Sequence, residues 1–175
     1  MSKQPHIPKQ PHIDNEMLLN FHIFDVQGTC LFSLNKDPEE REETKLLYGF
    51  LYSLKSFTQK ITPVIVADTS FFTYSTNIYQ LFYLETPTNV RMVLIIERES
   101  PSSRSNDYFR QLLRDLYRNV YVEYHVKNPA KASRQDLIDS LLFRERLIEF
   151  FNKIYNWAMK IDLKIKERLK KKFVL

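Results

Sequence analysis

The chain has 175 residues, enough for one domain with tails, with 43% apolar residues, a formal charge of +5 and only two glycines, Gly28 and Gly49. Two glycines so placed exclude the Walker loop, which needs a pair around a lysine, and the dinucleotide fingerprint, which needs three. One cysteine (Cys30) and four scattered histidines (His6, His12, His22 and His125) leave no disulfide framework, multi-cysteine zinc site or catalytic triad, so no cofactor, metal or catalytic residue is expected.

Residues 1–16 carry KQPHI twice, at Lys3–Ile7 and Lys9–Ile13, joined by Pro8. Prolines at this density with few apolar groups predict an extended, poorly ordered tail. There is no run of eighteen apolar residues and no signal-peptide pattern, so a soluble chain of a reducing compartment is expected.

Residues 17–25 (MLLNFHIFD) predict a strand, Asp25-Val26-Gln27-Gly28 a turn, and residues 29–34 (TCLFSL) the returning strand of a hairpin. Cys30 on that strand is expected to be a buried, unreactive thiol. Asp37-Pro38-Glu39-Glu40 places acids where a helix dipole favours them, and so predicts a helix start. The helix continues through KLLYGFLYSLKSFTQKITP (Lys45–Pro63) and stops before Pro63. At 3.6 residues per turn Leu46, Leu47, Phe50, Leu51, Leu54, Phe57 and Ile61 share one wide arc, expected to face the core. Tyr48, Tyr52, Lys55 and Gln59 line the opposite side. Two tyrosines one turn apart beside a long cation suit an interface, and these four are candidate partner-binding residues.

Residues 69–75, 79–85 and 90–96 predict three strands, the last so continuously apolar that it should be central and covered on both faces. A polar stretch at 100–106 should cap a helix over 107–124, with Phe109, Leu112, Leu113, Leu116, Tyr117 and Val120 on one stripe. Lys127-Asn128-Pro129 breaks it, and Ser133 with Asp136 can cap a final long helix. That helix carries two apolar rows. Leu137, Leu141, Ile148, Phe151, Tyr155 and Ala158 form one, and Phe143, Leu147, Phe150, Ile154 and Ile161 the other. Apolar groups over most of a helix require burial on two sides, and Phe143, Leu147, Phe150 and Ile154 are candidate partner-facing residues.

From Lys153 onward eight Lys and Arg face two acids, so the basic character belongs to the tail and the body is nearly neutral. Lys164, Lys166, Lys170, Lys171 and Lys172, alternating with apolar residues, suit an interfacial helix on an anionic membrane; a solvated helix end is the simpler alternative.

The order β-β-α-β-β-β-α-α with short connections predicts an α/β (α+β) domain over 17–159. It should hold one five-stranded antiparallel sheet, with the first helix on one face and the last two on the other. Residues 160–175 form a basic extension.

Five segments carry a resemblance closer than fold class: NFHIFDVQGTCL (Asn20–Leu31), the helix Lys45–Pro63, YQLFYLETPTNVRMVL (Tyr79–Leu94), YVEYHVKNP (Tyr121–Pro129) and LLFRERL (Leu141–Leu147). Together they resemble the small longin-like core subunits of the transport protein particle (TRAPP), the Bet-five or subunit-one type. Asn89 stands where that family usually has glycine, and asparagine tolerates the positive φ such a turn needs. Neither tail has a counterpart in the family pattern.

The resemblance implies a longin-like fold and a non-catalytic place in an elongated complex. Such a complex is cytoplasmic and peripheral on cis-Golgi and endoplasmic reticulum-derived membranes. It tethers vesicles and supports guanine nucleotide exchange on a Rab-family GTPase. The implied partners are a larger longin-like subunit, the palmitoylated-type subunit, the GTPase through the complex, and vesicle and Golgi membranes; no nucleic acid is expected. The alternatives are a SNARE-type or adaptor small-chain longin module, or a binder of nucleic acid or membrane through the basic tail.

Overall fold

A computed structural model describes residues 18–35, 43–61, 70–98, 105–129 and 137–154. The duplicated tail, the helix start expected at Asp37–Glu40, the cap expected at Ser133 and the basic extension with Lys164, Lys166, Lys170, Lys171 and Lys172 lie outside the described residues.

The first hairpin pairs β1 (Leu18–Phe24) with β2 (Cys30–Asn35). Its turn is held by one side chain: Gln27 N–H and Thr29 N–H each donate to Asp25 Oδ1 at 2.8 Å, and Gly28 supplies φ 90°. After α1 (Glu43–Ile61) come β3 (Phe71–Ser75), β4 (Tyr79–Glu85) and β5 (Arg91–Glu97). The strands lie in the order β2-β1-β5-β4-β3, with every pairing antiparallel. β5 is central, and Met92 to Ile96 are buried on both faces, as the unbroken apolar run requires. The β4–β5 turn has Asn89 at φ 60°. Thr86 closes it: Val90 N–H donates to Thr86 Oγ1 at 3.1 Å, and Thr86 N–H to Val90 O at 2.8 Å.

Strand alternation sends Phe21, Ile23, Phe82, Leu84, Met92 and Leu94 to one face and Phe24, Leu81, Tyr83, Val93 and Ile95 to the other. The first set packs under α2 (Asn106–Leu116) and α3 (residues 141–154), the second under α1. α2 is capped by Ser105, whose Oγ accepts from Tyr108 N–H at 3.3 Å.

Two helical expectations are corrected. The stretch expected as one α-helix over 107–124 changes winding at Tyr117 and runs to Val126 as π-helix, its end marked by Lys127 N–H donating to Val122 O at 2.9 Å. Wider turns keep Val120, Tyr121 and His125 inside and stack Tyr117 on Tyr121 at 5.6 Å, with His125 5.1 Å beyond. The final helix does not include Leu137. Residues 137–140 run along the outer edge of β2, where Ile138 N–H donates to Leu31 O at 2.8 Å. The helix begins at 141, with Ser140 Oγ accepting from Phe143 N–H at 3.4 Å.

Candidate interface on the first helix

Only part of the α1 arc meets the sheet. Leu51 is buried, and Leu47 and Tyr48 pack beside it against Phe24, Leu81, Tyr83, Val93 and Ile95. Leu46, Phe57 and Ile61, expected in the core, are 75%, 59% and 61% exposed, and Phe50 is 39% exposed with its ring edge on Tyr74 at 5.2 Å. This corrects the expected orientation. The helix is rolled so that Tyr48 and Lys55, expected on the outer side, turn inward. The cause is polar: both side chains are anchored to groups on the sheet that helical periodicity cannot register.

Arg91, the first residue of β5, is the hub of that anchor. Its Nη1 donates to Tyr48 Oη at 2.8 Å, Asp25 O at 3.0 Å and Val26 O at 3.1 Å. The guanidinium lies 5.6 Å from the Tyr48 ring centre, close enough for a cation–π contact. Its Nε reaches Glu85 Oε1 at 3.4 Å, and Lys55 Nζ pairs with the other carboxylate oxygen. Glu85 and Arg91 face each other across the β4–β5 ladder, so one hairpin holds both the β1–β2 turn and α1. Tyr48 lies over Gly28, where an added Cβ would sit 2.3 Å from its Cε1. Nothing larger than glycine fits.

Tyr48, Tyr52, Lys55 and Gln59 do come together. With Leu51, Ser56, Tyr83 and Arg91 they line one cleft of ≈ 220 Å³. Burial, and next the Glu85 charge, push the Tyr83 phenol well above its ordinary range, so it is a neutral donor there. Glu85, Arg91 and Tyr83 are additions that helix patterning missed; the signal available was the opposite charges flanking the Thr86–Val90 turn. The α3 row fares differently. Phe143 and Leu147 are fully buried in the chain's own core, while Phe150 and Ile154 pack partly against it. The row assigned to a partner is therefore largely consumed by the sheet, and Leu141 and Leu142 are exposed instead.

The remaining chemistry is quiet. Cys30 is half-buried, its Sγ donating to Phe32 O at 3.2 Å, and burial pushes the thiol up to about 11, leaving it a poor nucleophile at neutral pH. His22 is buried, its Nδ1 without a partner among the described residues. Also among the described residues, no group of three His, Cys, Asp or Glu is placed to hold a metal ion, and no helix is long and apolar enough to cross a membrane.

The Sybindin-like family model matches residues 18–154. Over 135 residues the chain is 36% identical to human "Trafficking protein particle complex subunit 1", covering 73% of this chain and 87% of that protein. The Dictyostelium discoideum protein of the same name is 34% identical over 119 residues, covering 65% and 80%. Among solved structures, a Roadblock/LC7 domain from Streptomyces avermitilis aligns at a TM-score of 0.44 and 12% identity, over 59% of this chain and 85% of that one.

Proposed function

The chain belongs to the Sybindin-like family, and on that premise we propose that it is a core subunit of a TRAPP-type vesicle-tethering complex. In this reading the complex supports guanine nucleotide exchange on a Rab-family GTPase in endoplasmic reticulum to Golgi transport, and the chain itself is non-catalytic. One observation carries the proposal: Leu46, Phe50, Phe57 and Ile61 are exposed along one flank of a helix whose other side is packed. Each such side chain contributes about 1.5–3 kcal/mol when buried, so a partner seated there gains several kcal/mol. Gly49 supports the same face. A Cβ there would meet nothing within 4 Å, so no packing within the described chain calls for a residue that weakens a helix.

Exchange needs no nucleophile. It needs a surface that binds the nucleotide-free GTPase more tightly than the loaded one, which lowers nucleotide affinity by the same factor. A subunit that positions neighbours contributes to such a surface without reacting groups of its own. The proposed neighbours are the larger longin-like subunit and the palmitoylated-type subunit, and the proposed location is peripheral on cis-Golgi and endoplasmic reticulum-derived membranes. Fluorescent GDP release tests the reading. The complete assembly should accelerate release from its Rab GTPase; equal acceleration by an assembly lacking this chain would refute the exchange role.

A further inference from the structure

We propose that the β4–β5 turn is a relay, coupling the seating of α1 on one face of the sheet to the winding of Tyr117–Val126 on the other. The inference concerns the chain itself and holds whichever neighbour covers α1. The short run Glu85–Arg91 grips both faces. On the α1 side, Arg91 Nη1 donates to Tyr48 Oη at 2.8 Å and Glu85 pairs with Lys55. On the opposite side, Thr88 Oγ1 and Tyr117 Oη share a hydrogen bond of 3.0 Å. Thr88 Oγ1 and Thr86 Oγ1 share another of 3.0 Å, and Thr86 Oγ1 donates to Val90 O at 3.0 Å. A hydroxyl has one proton, and a carbonyl oxygen only accepts. Thr86 therefore accepts from Thr88, and Thr88, its proton spent, accepts from Tyr117. The row has one direction, from Tyr117 to the carbonyl of Val90, the residue next to Arg91. Bonds in such a row polarise one another, so losing one weakens the rest.

Tyr117 is where the winding changes: it is the C-cap of α2 and the first residue of the π-helical stretch. The two windings present different side chains. Continued at 3.6 residues per turn, the stripe Phe109, Leu113, Leu116 and Val120 would next turn Glu123 and Lys127 toward the sheet. The π winding instead leaves the Lys127–Glu123 pair outside, at 61% and 47% exposure, and buries Tyr121 and His125. A segment with two discrete arrangements is the kind of element that carries coupling between distant faces. Its junction is pinned by Thr88, and Thr88 belongs to the same turn that holds Arg91 against α1. A shift of α1 therefore reaches Tyr117 through the turn, and the reverse holds by linkage.

Amide hydrogen exchange of the full-length chain, read by mass spectrometry, tests the relay. Tyr48→Phe removes the bond to Arg91 and keeps the ring. It should speed exchange across 118–126 by about fivefold or more relative to the amides of β1. Tyr117→Phe, which keeps the ring stacked on Tyr121, should do the same across α1. Thr88→Val should reproduce both effects, whereas Thr88→Ser, which keeps the hydroxyl row, should leave both segments at wild-type rates. The β1 amides serve as reference because an overall loss of stability speeds them too, while local opening does not. If each phenylalanine variant changes exchange only on its own face, the relay is overturned. Equal acceleration everywhere, β1 included, would make these hydroxyls ordinary structural contacts and overturn it as well. Neither result touches the subunit reading, which co-purification decides.

Discussion

Gly28 is the least replaceable residue of the candidate interface, for two independent reasons: its φ of 90° and the Tyr48 ring where a Cβ would stand. Gly28→Ala should lower stability by about 1–3 kcal/mol, read as an earlier urea midpoint with an unchanged slope; a midpoint equal to wild type would disprove the contact. Asn89 illustrates what single residues reveal in advance. Its tolerance of positive φ follows from residue type, and it sits at φ 60°; Asn89→Gly should be neutral within about 0.5 kcal/mol, whereas a β-branched residue there should be destabilising. His22 was legible only as a strand residue. Buried on the α1 side of β1, it is held down to about 4 by desolvation, against the ordinary value of 6.5 in the unfolded chain. A depressed histidine favours the neutral form in the fold, so its contribution is complete above pH 6.5 and is lost as pH falls toward 4, by on the order of 3 kcal/mol. Denaturation at pH 7.5 and 4.5 checks this, with His22→Leu expected to show a smaller acid loss than wild type.

Between elements, α1 shows the limit of periodicity. Its apolar arc was visible in the sequence, but which edge of that arc meets the sheet was decided by the Asp25 turn and by Glu85 and Arg91, which lie 30 positions from Lys55 and 43 from Tyr48 in the chain. A broad stripe leaves the roll of the helix open, and polar anchors then fix it. Two consequences separate the inner side from the outer. Tyr48→Ala should destabilise the isolated chain, since it removes a packed ring and a bond to Arg91. Gly49→Ala, on the open side, should stabilise it by about 1 kcal/mol, measured by thermal unfolding; a destabilisation would show that Gly49 serves the chain's own fold. The π-helical stretch Tyr117–Val126 escaped for a related reason. Its apolar spacing fits an α-helix nearly as well, and only the packing of Tyr121 and His125 against α3 distinguishes the two.

On the scale of the whole molecule, the five-stranded antiparallel sheet and the division of helices between its faces were readable from strand alternation, turn residues and one unbroken apolar run. Those signals are local, and short connections turn them into topology. The cleft was half legible: Tyr48, Tyr52, Lys55 and Gln59 share a helix side by spacing alone, but Glu85, Tyr83 and Arg91 reach them through tertiary structure. The partner-facing row on α3 was misjudged because Phe143 and Leu147 satisfy the chain's own sheet. The flank of α1 is exposed, and the account stands on its being covered in the cell. The direct measurement is affinity purification of the full-length chain, wild type and Leu46→Lys/Phe57→Lys side by side, with subunit amounts quantified by mass spectrometry. Wild type should bring down TRAPP-type subunits in fixed proportion, and the double variant, equally stable on its own, should recover them at least tenfold less. Equal recovery by both, or wild type recovered alone, would contradict the account.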